Sequence, residues 1–265
     1  MKISLITATW NAEKSLPLMI QSLAEQRMDR SQLEWIVLDG GSSDDTLGVI
    51  ERSGFKPDCL ISESDEGLYD ALNKGVRLAT GDVVGFLHAD DFLSDSSTLM
   101  KVLEAFEMYD VDGVYGDLQY VKKEQGRFAT VRHWVSGYFD RSQLKWGWMP
   151  PHPSLYLKRG VYQAAALGNG DYFDTSYSCS ADYDFMMRIL KRFAVELCYV
   201  PDVLIKMQLG GMSNRSLKHI LVKSKEDWRA IRHNRIGHVY TLLGKNLGKV
   251  GQLKLFRRLL PNIDN

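Results

Sequence analysis

Trp35-Ile36-Val37-Leu38-Asp39-Gly40-Gly41-Ser42-Ser43-Asp44-Asp45-Thr46 passes from an unbroken apolar run, through small and acidic residues, to the start of a helix. A short apolar run closed by turn residues reads as a strand buried on both faces. The glycine pair permits a tight turn, and either Ser43 or Asp44 suits the N-cap of the helix that Asp-Asp-Thr opens. The same unit recurs on either side. Ile3–Ala8 precedes a helical pattern of Leu16, Met19, Ile20 and Leu23. Cys59–Ile61 precedes a Leu68/Leu72/Val76 stripe, and Val83–Leu87 precedes Leu99, Val102, Leu103 and Phe106. Four strand–helix units in about a hundred residues predict an α/β fold, with a mostly parallel central sheet flanked by helices on both faces. Such sheets bind ligands beyond the carboxyl ends of their strands.

After Gly113 the rhythm changes. Val114–Val121 and Arg127–Val135 read as strands around a Lys-Lys-Glu-Gln-Gly turn, and a loop rich in Trp and Pro follows. A helix over Asp182–Phe193 then precedes two short strands, Val195–Val200 and Val203–Met207. Of the 265 residues, 33 are Lys or Arg and 33 are Asp or Glu, so zero net charge gives no footprint for nucleic acid. The balance hides an asymmetry: residues 214–265 hold 12 basic and 3 acidic side chains, +9, which leaves −9 for residues 1–213. The cysteines Cys59, Cys179 and Cys198 are too scattered for a zinc clamp and predict reduced, near-core thiols. A strand-like N-terminus and the lack of any membrane-length apolar run predict a cytoplasmic protein.

The strand ends carry the chemistry. Thr7-Ala8-Thr9-Trp10-Asn11, Asp39-Gly40-Gly41-Ser42 and His88-Ala89-Asp90-Asp91 each follow an apolar strand. Asp39 suits a base or ribose, although the same residues also read as a capped turn. Asp90 and Asp91 repel each other unless a cation compensates, and Mg²⁺ or Mn²⁺ bridging to a diphosphate does so; a second capping turn is the competing reading.

Taken in order, these segments resemble the family 2 glycosyltransferases of GT-A fold. Ala8-Thr9-Trp10-Asn11 is similar to that family's Pro-Thr-Tyr-Asn, Ile36–Thr46 to its Val-Asp-Asp-Gly-Ser-x-Asp-x-Thr, and Ala89-Asp90-Asp91 to its Asp-x-Asp element. Gly67-Leu68-Tyr69-Asp70-Ala71-Leu72-Asn73-Lys74-Gly75 resembles a segment of the branch that builds colanic-acid-type exopolysaccharides. The resemblance implies inverting transfer of a sugar from a UDP- or GDP-linked donor, with Mn²⁺ or Mg²⁺. By position, Ala8, Thr9, Trp10 and Glu13 line the nucleotide pocket with Asp39 on the base. Asp90 sits by the ribose and donor sugar and Asp91 holds the metal, while Lys74 or Arg77 neutralises phosphate in place of a family Arg. The general base is Asp182, in Ser180-Ala181-Asp182-Tyr183-Asp184, while Asp184 faces the sheet or a neighbouring Arg. Three positions depart from the pattern: His88 replaces the first Asp of the Asp-x-Asp element and is an extra candidate metal ligand, Leu72 replaces an Arg, and Ala181 replaces a Glu.

Trp146, Trp148 and His152 offer an acceptor platform or lid, or else form a proline-braced packing loop. Gly210-Gly211-Met212-Ser213 resembles a segment that closes over the diphosphate. The chain divides into residues 1–213, a catalytic domain that binds nucleotide sugar over about 1–117 and acceptor over about 118–213, and residues 214–265, a basic helical extension. In that extension Leu217, Ile220, Leu221 and Trp228 form one apolar stripe, and Val239, Leu243, Leu247, Val250, Leu253, Phe256 and Leu260 form another. These helices either lie on an anionic inner leaflet, where a polyprenyl-diphosphate-linked saccharide acceptor would be met, or dock on the protein. A sugar-nucleotide nucleotidyltransferase and a non-catalytic membrane-surface module are the competing functions.

Overall fold

A computed structural model describes residues 1–209 and 217–247, the stretch 217–220 as helix backbone. Its elements run β1 Ile3–Thr9, α1 Leu16–Ala24, β2 Leu33–Asp39, α2 Thr46–Arg52, β3 Cys59–Ser62, α3 Leu68–Leu78, β4 Val83–Phe86, β5 Asp91–Leu93, α4 Thr98–Met108, β6 Gly113–Glu124, β7 Arg127–Trp134, β8 Leu155–Lys158, α5 Arg159–Ala164, α6 Ala181–Arg192, β9 Leu197–Gln208 and α7 Leu217–His233. One sheet has the order β3-β2-β1-β4-β8-β6-β9-β5, with β7 paired to β6. The first four strands are parallel, and their register sets Thr9 beside Asp39 and Asp39 beside Ser62, so the strand ends share one edge.

Alternation along each strand feeds two cores. Ile6, Ile36, Leu38 and Phe86 face α3 and α6, whereas Leu5, Trp35 and Val37 face α1 and α4. Both faces are apolar because both are covered, which is why these strands read as continuous apolar runs. Each large side chain so buried contributes about 1.5–3 kcal/mol.

The structure differs from the sequence reading in three places. The buried stripe of α3 is Tyr69, Leu72 and Val76, while Leu68, at the first turn, stays exposed. Gly75 on this helix lies against the sheet, and a Cβ there would stand 2.5 Å from Ile6 Cγ2. The two strands expected over 195–207 are one strand, β9, since Pro201-Asp202 marks a register shift against β6 at Gly116–Leu118 rather than an end. The short strand β8, unmarked by any long apolar run, enters antiparallel between β4 and β6. None of the three cysteines is in a disulfide, and all are half-buried.

The described part of the extension lies against the body. Ala230 and Ile231 of α7 join the core beneath α6, and a further helical run over residues 239–247 buries Thr241 and Lys245. Among the described residues no helix is long and apolar enough to cross a membrane. The Gly210-Gly211-Met212-Ser213 segment, and Val250, Leu253, Phe256 and Leu260 of the second stripe, lie outside the described residues.

Candidate active site

The loop after β1 is built to hold the loop after β2. Asn11, in the left-handed region at φ 48°, accepts through Oδ1 from the Ser43 N–H at 2.8 Å, while its own N–H donates to Ser42 Oγ at 2.8 Å. Glu13 accepts from the Asp45 N–H at 3.1 Å at the start of α2. Thr9 is buried and its Oγ1 has no protein partner, Ala8 is half-buried, and the Trp10 ring stands 51% exposed at the rim. These residues form a fixed floor beside an aromatic surface.

Asp39 lies on that floor, but its carboxylate is occupied. It accepts from the Ser42 N–H at 3.0 Å, from Ser42 Oγ at 2.5 Å and from Ser62 Oγ at 2.6 Å, bracing the turn through Gly41, whose φ is +76°. Across the turn stands Asp65, near enough that a Cβ on Gly40 would meet its Oδ2 at 2.9 Å. Asp65 is half-buried on the loop between β3 and α3 and was not singled out by sequence. Its signal was the acidic run Glu63-Ser64-Asp65-Glu66 immediately ahead of the quoted Gly67 segment. Lys74 is engaged by Glu63 at 2.8 Å and Asp70 at 3.1 Å, so its ammonium is already paired; Arg77 is paired with Asp171 at 2.7 Å.

At the end of β4 the neighbouring acids part company. Asp90 is half-buried beside His88 at the strand ends, whereas Asp91 opens β5, is 1% exposed, and has neither carboxylate oxygen hydrogen-bonded. Burial and the adjacent Asp90 charge push the Asp91 carboxyl well above the usual carboxylate range. Among the described residues no three His, Cys, Asp or Glu converge as a metal cage. A hard cation held by one carboxylate and completed by substrate phosphates needs no such cage, and the half-buried Asp90 fits that limited role. His88 is held neutral by burial, which outweighs the fields of Asp90 and Asp182.

Opposite these groups, α6 presents Asp182 in its first turn. The Tyr69 hydroxyl of α3 donates to Asp182 Oδ1 at 3.0 Å, and burial together with that carboxylate drives the phenol far above its ordinary pKa, leaving it a fixed donor. Tyr69 is a second residue that sequence reasoning passed over, although it stands in the Gly67–Gly75 segment. The same segment supplies Asn73, fully buried, which accepts from the N–H groups of Tyr172 and Phe173 at 2.9 Å each and donates to the Phe173 carbonyl at 2.8 Å. It thereby fastens α3 to the chain leading into α6. Burial raises the Asp182 carboxyl, but His152, Lys223, Lys245 and the Tyr69 hydrogen bond together lower it below its usual range. His152 is itself pushed down to about 4 by burial, so it carries charge only in the acid range where Asp182 takes up its proton. Asp184 faces inward, 3.9 Å from Arg188 Nε, and accepts from Asn234 Nδ2 at 2.8 Å.

The Trp-Pro loop divides into different roles. Trp148 donates from Nε1 to the Ser136 carbonyl at 3.0 Å and stacks on Phe139, and is thus a packing residue. Trp146 is exposed with its ring against Tyr240. His152 is buried against Phe86 and Phe173, its ring 6.4 Å from that of His88, and its Nε2 has no hydrogen-bond partner.

A parallel sheet edge with an acid at the end of its fourth strand and a carboxylate on a facing helix is the layout of a GT-A glycosyltransferase. Two solved structures share the fold. The mannosyltransferase PcManGT from Pyrobaculum calidifontis, in complex with GDP-Man and Mn²⁺, aligns with TM-score 0.64 at 16% identity over 100% of this chain and 76% of that one. S. aureus TarS 1-349, in complex with UDP-GlcNAc, aligns with TM-score 0.63 at 18% identity over 99% of this chain and 73% of that one. In sequence, residues 4–161 match the glycosyl transferase family 2. A PGL/p-HBAD biosynthesis glycosyltransferase of Mycobacterium tuberculosis is 31% identical over 218 residues, 80% of this chain and 78% of that protein. The chain belongs to glycosyl transferase family 2. The nucleotidyltransferase reading falls with that assignment.

Proposed function

We propose that the protein is an inverting glycosyltransferase that moves a sugar from a UDP- or GDP-linked donor to a hydroxyl of a lipid-linked saccharide, a polyprenyl-diphosphate carrier above all, in surface-polysaccharide assembly. The observation that carries this reading is the Tyr69–Asp182 hydrogen bond, which holds a carboxylate of α6 within electrostatic reach of His88, beside Asp90 at the end of β4. Asp182 takes the proton of the acceptor hydroxyl as its oxygen bonds to the anomeric carbon. The bond from that carbon to the diphosphate oxygen breaks on the opposite face, so the configuration inverts. Nucleoside diphosphate leaves, and Asp182 passes its proton to solvent. A divalent cation, Mn²⁺ or Mg²⁺, held by Asp90 would neutralise charge on the departing diphosphate. Asp91, shut away from the cleft, backs Asp90 in this reading. Asp39, shared with Ser42 and Ser62, and Asp65, whose Oδ1 accepts from the Gly67 N–H, both stand on the base-facing side, and Lys74 closes the rim through Glu63. The bound GDP-Man and UDP-GlcNAc of the two structural relatives support a nucleotide-sugar donor of either base.

A thermal-shift panel of UDP, GDP, CMP and their sugars tests the donor reading. The expected result is stabilisation by UDP or GDP with Mn²⁺, with the metal-dependent part removed by EDTA. No shift with any nucleotide, in the presence of membrane extract as well, would overturn it.

On this reading residues 1–213 are the catalytic part, and residues 214–265 bring it to the inner face of the cell membrane. Val239, Tyr240, Leu243 and Leu247 stand exposed on the helical run 239–247, beside Trp146, and the extension carries an excess of basic residues that the body's acids balance. An exposed apolar stripe with basic neighbours suits an anionic interface. Full-length protein should float with liposomes containing phosphatidylglycerol, and Leu243→Asp with Leu247→Asp should reduce the floated fraction at least about fivefold. Equal flotation of the two proteins counts against membrane docking.

A further inference from the structure

Helix α6 does not cap itself. Ser180, at its N-cap, donates its hydroxyl across to Asp227 Oδ1 of α7 at 2.8 Å and makes no cap bond to its own helix. One turn of α7 instead holds the two residues that lead into the cap: Glu226 accepts from the Ser178 N–H at 2.8 Å, from the Ser178 hydroxyl at 2.7 Å and from the Cys179 N–H at 2.8 Å. Lys223 adds a contact from Nζ to the Cys179 carbonyl at 3.3 Å, and Arg229 donates to Ser176 Oγ at 2.8 Å. Behind Asp227, Lys245 from the run 239–247 closes the set, its Nζ 2.8 Å from Asp227 Oδ1 and 3.2 Å from the centre of the Tyr183 ring. The segment so held, 176–180, ends two residues before Asp182.

We propose that the extension positions the general base: Glu226, and Asp227 with Lys245, fix residues 178–180 and so set where Asp182 points. The inference rests on the reading of Asp182 as the base. These are positioning residues, since none of them touches the reacting atoms. A buried ion pair is a poor device for stability, because desolvation offsets its Coulomb energy. Here burial pulls the Lys245 ammonium down to about 8, so below that pH folding must carry an ammonium that burial disfavours. The pair's geometry, rather than its stability, then explains its place. The titratable groups that bear on Asp182 are Lys223 and Lys245 from the extension and His152 and His88 from the body, with the Tyr69 hydroxyl bonded to it.

The test is the full-length double variant Lys245→Met with Asp227→Asn, assayed for transfer over a pH series. Its Tm should equal or exceed that of the wild type, because a buried ion pair is replaced by neutral groups. Its kcat should fall about tenfold with donor KM within about twofold, and the acid limb of kcat should move to higher pH as a cation near Asp182 is lost. Ser180→Ala should change kcat in the same direction, and Ser180→Thr should restore it. Wild-type kcat and an unmoved acid limb in the double variant would overturn the inference, as would a fall in kcat matched by a fall in Tm with the limb unmoved. Asp182→Asn, measured alongside, separates the two claims: if it transfers normally the base assignment fails, and if it is inactive while the double variant is normal only the positioning role fails.

Discussion

Asp182→Asn is expected to lower kcat for sugar transfer about a thousandfold while donor affinity stays within about twofold. The amide keeps the shape of the carboxylate and can still accept from Tyr69, so the loss isolates proton abstraction from packing. In the wild type the carboxyl lies below its usual range: burial raises it, and His152, Lys223, Lys245 and the Tyr69 hydrogen bond together lower it further. A depressed acid is in its basic form everywhere above that lowered pKa, so wild-type kcat should hold as pH falls through the ordinary carboxylate range and drop only below it. The linkage to stability has the matching sign. A carboxyl whose folded pKa is depressed contributes stability that is full above the unfolded value and lost as pH falls through the folded one. The Asn variant should therefore melt below the wild type at pH 7, with the difference closing on acidification. Transfer by Asp182→Asn within about tenfold of wild type would remove Asp182 from the base role.

The parallel half of the fold was legible because its strands are buried on both faces, and the ends of those strands announced the cleft through their switch to polar residues. The place of Asp182 in the first turn of α6 was legible as well, from the Ser180–Asp184 stretch that resembles the family's. What escaped were facts about partners far apart in sequence. That Ser62, from the next strand, donates to Asp39 is written in no local pattern. Nor is the pairing of the Lys74 ammonium with Glu63 as well as Asp70. Tyr69 lies 113 residues from the carboxylate it aims, and no local pattern joins the two. The extension likewise reads from its amphipathic stripes as either a membrane helix or a docked one. The structure seats Ala230, Ile231 and Lys245 on the body and leaves Leu243 and Leu247 outward, so one face meets the protein and the other is open to a surface.

Asp90 and Asp91 show the same limit at its sharpest, because adjacent residues entering a strand point to opposite sides and sequence alone does not say which side is the cleft. The pairing of Asp91 with Met207, antiparallel on β9, places the second acid inside the sheet, where both its oxygens are shielded and unbonded. A carboxylate that must meet both a cation and a substrate phosphate needs an accessible oxygen, and that condition selects Asp90. Asp90→Ala should therefore abolish metal-dependent stabilisation by nucleoside diphosphate and cut kcat at least about a thousandfold, the scale expected when the stabilised leaving-group charge is left bare. Asp91→Asn keeps the buried shape and removes a charge that burial already disfavours, so metal-dependent nucleotide binding should stay within about fivefold of wild type. Titration of both variants with UDP or GDP and Mn²⁺, read by calorimetry, decides between them. Loss of metal-dependent binding in Asp91→Asn with retention in Asp90→Ala would return the metal to Asp91 and require β5 to move before the cation binds.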